Sequence, residues 1–93
     1  MGRKSLAEQI YQEYQEETPG NDTWLVVYDF QGIKPTTKFY DNISRIMNLA
    51  EDSQLVQYSV FMTRDQRAAK AVKDLVQHYD GQVSMFKGEM AEL

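Results

Sequence analysis

The sequence predicts an α+β domain preceded by one short helix, and three observations carry that reading. Residues 24–30 form a strand-like run of β-branched and aromatic side chains. Two later segments repeat their apolar residues at helical spacing, one ending near residue 50 and one spanning 64–79. A further β-rich stretch follows each helix, at 54–63 and 82–87, so strands and helices alternate.

Taken in order, segment 5–17 reads as a helix. Ser5-Leu6-Ala7-Glu8 matches a capping box, and Leu6, Ala7, Ile10, Tyr11 and Tyr14 form a narrow apolar stripe on a Gln/Glu surface. Thr18 to Asp22 contains Pro19 and Gly20 and turns the chain. Residues 1–23 are therefore expected to be a helical appendage that leans on the body or on a partner, with 24–93 as the main domain.

Trp24-Leu25-Val26-Val27-Tyr28-Asp29-Phe30 places Trp24, Val26, Tyr28 and Phe30 on one face and Leu25 and Val27 on the other. Apolar on both sides, it should be a central strand with both faces covered. Pro35 suits the first turn of the next helix, whose buried face is Phe39, Ile43, Ile46, Met47 and Ala50. Residues 54–63 lack an Asn-Gly or Asp-Gly turn, so either a hairpin or one long bent strand is open. In helix 64–79 the buried side is Ala68, Ala69, Val72, Leu75, Val76 and Tyr79, and Gly81 is the expected left-handed cap. Met47, Met62 and Met85 fall in core-like patterns.

With a hairpin at 54–63 the order becomes βαββαβ, which predicts a ferredoxin-like sandwich with an additional N-terminal helix. Two helices cover one sheet face only. The other face would keep its apolar side chains in water, and such a patch predicts an interface, here a symmetric homodimer. The N-terminal helix folding over that face is the competing expectation.

Composition narrows the function. The 93 residues carry 10 basic and 14 acidic side chains and no cysteine, which excludes disulfide scaffolds, thiolate zinc sites and a Cys nucleophile. The net charge is −3 over residues 1–23 and −1 over 24–93, unlike a strongly basic nucleic-acid binder. The start of the chain is polar and the longest apolar run is short, so neither a secretory signal nor a membrane span is expected; a cytoplasmic location follows as an expectation.

Asp29 is the candidate for chemistry, because it interrupts an apolar strand near its end. As a structural residue it would cap the following loop. As a ligand for Mg²⁺ or Mn²⁺ it needs company, and a two-fold axis near the strand end would supply a second Asp29. His78 is a lone histidine at a helix end, and Ser59 has no base in its motif. Arg64, Arg67, Lys70 and Lys73 step every three residues along the second amphipathic helix, a solvated face or a phosphate-binding patch.

Two segments resemble the small CRISPR-associated protein Cas two family, the ferredoxin-like partner of the CRISPR integrase. Val26-Val27-Tyr28-Asp29-Phe30 is similar to that family's first strand, and Val56-Gln57-Tyr58-Ser59-Val60-Phe61 to its second signature. The resemblance covers roughly residues 24–87. It implies a homodimer whose paired aspartates sit near the axis and support metal-dependent cleavage of RNA or DNA. It also implies an adaptor role between integrase dimers that needs no cleavage. Carried over, Asp29 is the catalytic and metal-binding residue, with Ser59 and Phe61 in the surrounding motif. Where family members commonly carry arginines after the aspartate, this chain has Lys34 and Lys38. These two, with Arg64, Arg67 and Lys70, are the candidate nucleic-acid contacts. A catalytically silent dimeric scaffold, binding a protein through the acidic N-terminal helix, is the alternative.

Overall fold

The apolar run becomes β1, Thr23–Asp29, in a computed structural model that describes residues 4–32 and 34–89. β1 lies between two partners in a four-stranded sheet of order β2-β3-β1-β4, and every pairing is antiparallel. The other strands are β2 (Ser53–Gln57), β3 (Val60–Thr63) and β4 (Gln82–Gly88). Three helices accompany them: α1 (Leu6–Gln12), α2 (Thr37–Leu49) and α3 (Gln66–His78).

The core lies between the sheet and α2 and α3. Val26 and Tyr28 of β1, Phe61 of β3 and Phe30 just beyond β1 meet Phe39, Ile43 and Ile46 of α2 and Val72, Leu75 and Val76 of α3. Phe39 is the hub: its ring makes edge contacts with Tyr28 and Phe30 at centroid distances of 5.4 and 4.9 Å. α1 packs chiefly on α2 and α3, where Ala7 and Ile10 join the same core. It therefore does not cover the open face of the sheet, and the expectation that both faces of β1 are covered holds for one face only.

Several local expectations are corrected. The first helix ends at Gln12 rather than 17. The chain then tightens into turns in which Glu13, Tyr14, Gln15 and Glu17 each donate to the carbonyl three residues back. This brings Tyr14 and Glu17 onto α3. Ser5 accepts from the Glu8 N–H as expected, while the Glu8 carboxylate accepts from the Ser5 hydroxyl rather than from its backbone. Pro35 precedes the N-cap of α2 instead of occupying its first turn, because the Thr36 side chain accepts from Phe39 N–H and takes the cap. α3 starts at Gln66, two residues later than expected, since Asp65 caps it by accepting from Arg67 N–H.

Residues 53–63 fold as a hairpin, so the bent-strand alternative is set aside. Tyr58 and Ser59 connect β2 and β3, with a register shift between Leu55 and Gln57. No residue of this loop has positive φ, whereas the tightest hairpin turns demand it. The bulge takes up the extra residue and supplies the twist, which is why no glycine marks the turn.

At the end of α3 the left-handed residue is Asp80, at φ 63°, not Gly81. Gly81 N–H donates to Val76 O and Asp80 N–H to Gln77 O, the paired bonds of a Schellman ending. Gly81 is needed for space: a Cβ there would stand 2.7 Å from both Phe30 Cε1 and Val76 Cγ1. Met47 and Met85 pack against the core, but Met62 stands opposite Leu25 on the open face.

Candidate functional site

The open face of the sheet is built by strand periodicity alone. On β1, Val26 and Tyr28 turn towards the helices, so Leu25, Val27 and Asp29 share the opposite side. Cross-strand register adds to that side Met62 and Val60 from β3 and Phe86, Ser84 and Gln82 from β4. Leu25 and Val27 are 36% and 37% exposed, and Phe86 is 57% exposed. The result is an apolar stripe that Asp29 ends. Its carboxylate is exposed and lies directly across from Gln82, a neighbour the sequence did not reveal because it depends on how β4 is registered.

Among the described residues Asp29 makes no side-chain hydrogen bond or ion pair, and no group of three or more His, Cys, Asp or Glu could hold a metal. A carboxylate and an amide oxygen are suitable in type for a hard cation. They are too few in number: one chain offers Asp29 and, at most, Gln82. The donors fit a metal only if a second copy adds its own.

The other sequence-selected residues separate into two groups. Lys34 and Lys38 are exposed, between β1 and α2 and in the first turn of α2, at the end of the sheet that carries Asp29. Ser59 lies at this end too, its carbonyl accepting from Tyr28 N–H. The exposed Tyr58 is held there through its carbonyl, which accepts from the buried Tyr28 hydroxyl at 2.7 Å. Burial pushes the Tyr28 phenol well above its ordinary pKa. Phe61 is fully buried on the helix side, away from Asp29.

Arg64, Arg67 and Lys70 belong to the opposite end. Thr63 pairs with Trp24, five residues before Asp29, so Arg64 begins about 17 Å along the strand from the carboxylate. A cleft of about 730 Å³ lies at this far end, lined in part by Thr23, Asp52, Ser53, Met62 and Arg64. Arg67 is held by Asp65: Nε and Nη2 each donate to its carboxylate at 2.9 Å. Tyr11 donates its hydroxyl to the same carboxylate at 2.8 Å. Burial would raise the Asp65 pKa, but the bonds from Arg67 and Tyr11 outweigh it and hold the carboxyl below its usual value. Burial, with the bond to Asp65, pushes Tyr11 up to about 12. Lys70 pairs with Glu17, and the Tyr14 hydroxyl donates to Asp74.

His78 is exposed in the last turn of α3, its ring against Tyr79. No helix among the described residues is long and apolar enough to cross a membrane. The chain matches no protein-family model, no curated protein and no solved structure.

Proposed function

We propose that this chain is a divergent member of the Cas two family: a ferredoxin-like, cytoplasmic homodimer that serves as a CRISPR adaptation protein. One observation carries the reading: Asp29 stands on the uncovered sheet face, at the end of the apolar stripe formed by Leu25, Val27, Met62 and Phe86. Burying that stripe against a second copy removes it from water, at roughly 25 cal/mol per Å² of apolar surface. The same pairing would bring a second Asp29 carboxylate to the first. The βαββαβ order after α1 and the central position of β1 support the fold assignment.

In the nuclease form of the reading, the two Asp29 carboxylates would hold Mg²⁺ or Mn²⁺, with Gln82 across the ladder from each. Held there, such a cation would supply positive charge to a phosphodiester oxygen and acidify water for attack. Lys34 and Lys38, at the same end, contact the phosphates of RNA or DNA as point charges, without the forked geometry of arginine. The adaptor role, bridging the CRISPR integrase, uses the same dimer and requires no cleavage. The silent-scaffold alternative has less support, because the apolar stripe of α1 is spent on the body: Ala7 and Ile10 are buried there.

The test compares the wild-type chain with Asp29→Asn. Wild type should cleave RNA or DNA only with Mg²⁺ or Mn²⁺ present, and Asp29→Asn should lose cleavage by at least about a hundredfold while remaining dimeric. Cleavage that survives the substitution removes Asp29 from the mechanism. Metal-independent cleavage removes the cation.

A further inference from the structure

The N-terminal segment crosses the outer surface of the helix layer, on the far side from the open sheet face. Its composition opposes what lies beneath. Residues 4–18 contain four acidic side chains and one basic, whereas residues 37–49 and 64–78 together contain six basic and three acidic. The contacts follow the charges. Lys70 meets the Glu17 carboxylate and also stands 5.8 Å from the centre of the Tyr14 ring. Arg67 stands 5.5 Å from the centre of the Tyr11 ring.

To these cations the carboxylates and aromatic ring faces of the segment stand where a nucleic acid would place phosphates and bases. Of the basic residues that the sequence marks for phosphate, Lys70 is thus paired with a segment of its own chain, while Arg67 is held by Asp65 of the α3 cap and meets the segment only through the Tyr11 ring. Arg64 and Lys73 remain at the margins, Arg64 exposed and Lys73 paired, among the described residues, with its neighbour Asp74 at 3.5 Å. Docking the segment fully buries Ala7 and Ile10, with Leu6, Tyr11 and Tyr14 packed against the core beside them, so the cover is held by apolar contact as well as by charge. The link back to β1 turns at Gly20, which has φ 79°.

From this juxtaposition we infer that residues 4–18 are an acidic, intramolecular cover over a nucleic-acid-binding face of α3, which opens when a polyanion competes with Glu17 for Lys70. The inference rests on the nucleic-acid reading above and adds to it a second contact surface, remote from Asp29.

The test uses the full chain and a labelled single-stranded DNA oligonucleotide, with affinity read by fluorescence anisotropy across a salt series. Ile10→Ala/Tyr11→Phe/Tyr14→Phe loosens the cover without altering any formal charge. It should bind about tenfold tighter than wild type, with the slope of log K against log salt steeper by about 0.7, as for one added phosphate contact on a single strand. Adding Lys70→Gln/Lys73→Gln should abolish the gain. No gain in a variant whose circular dichroism matches wild type overturns the cover. So does a gain that persists without Lys70 and Lys73. If the triple variant does not fold, Tyr14→Phe/Glu17→Gln frees Lys70 while keeping Ala7 and Ile10. It must then show a smaller gain with the same Lys70 dependence, and its failure to do so overturns the proposal equally. Sedimentation of the same samples separates the two readings: a dimer without gain sinks the cover alone, and a monomer with gain sinks the dimeric site alone.

Discussion

Gly81 leaves no room for a side chain, and the reason is volume rather than torsion. With Phe30 and Val76 each 2.7 Å from the position of a Cβ, Gly81→Ala must displace a core ring or part the end of α3 from β4. A loss of about 2–3 kcal/mol is expected in urea unfolding, against a small gain or no change for Asp80→Gly, which relieves a left-handed φ. Equal effects at the two positions would show that the close approach is not felt. Asp65 behaves differently, because its role is electrostatic. Its folded pKa is depressed, so its contribution is present above the unfolded value near 4 and is lost as pH falls through the folded value. Asp65→Asn keeps the cap but removes the charge that Arg67 and Tyr11 share. It should cost about 1–2 kcal/mol at pH 7, and the difference from wild type should shrink towards pH 3. A gap in Tm that is constant with pH would refute this account.

At the scale of elements, the sequence reveals what depends on periodicity and conceals what depends on register. Alternation within Trp24–Phe30 is enough to find the central strand, and the three- and four-residue spacings locate α2 and α3. The hairpin at 53–63 was not decidable, because its turn uses a bulge after Leu55 instead of glycine, and a bulge leaves no composition signal. Gly81 reads as a left-handed cap for a related reason: sequence shows a glycine after a helix, while the closeness of Phe30 exists only once β1 and α3 are packed. Asp29 was legible as an anomaly in an apolar strand. Its neighbour Gln82 was not, since it meets Asp29 through seven registered pairs between β1 and β4. The basic steps along α3 were legible too, but not their occupation: Glu17 is 53 residues from Lys70 in the chain.

For the whole molecule, the deciding question is what happens to the open face of the sheet. Leu25, Val27, Met62 and Phe86 form one continuous apolar area with a helix layer behind it and solvent in front. Isolated exposed apolar residues are ordinary, whereas a contiguous patch on a sheet face is a place where a second surface belongs. Val27 sits in the middle strand of that patch and is already 37% exposed, so Val27→Lys costs the single subunit little. In a face-to-face pair it places two ammonium groups in an apolar interface, where desolvation disfavours both. Wild type should therefore sediment at twice the 10.8 kDa chain mass and Val27→Lys at that mass itself. The wild-type Tm should rise with protein concentration while that of the variant stays constant, because only a dimer couples folding to mass action. Glu13→Lys, which alters an exposed residue of the N-terminal segment, should leave the dimer unchanged. A wild-type chain that stays single at high concentration, or a Val27→Lys dimer as tight as wild type, would show that the sheet face is not where two copies meet. The paired Asp29 site would then have no means of assembling.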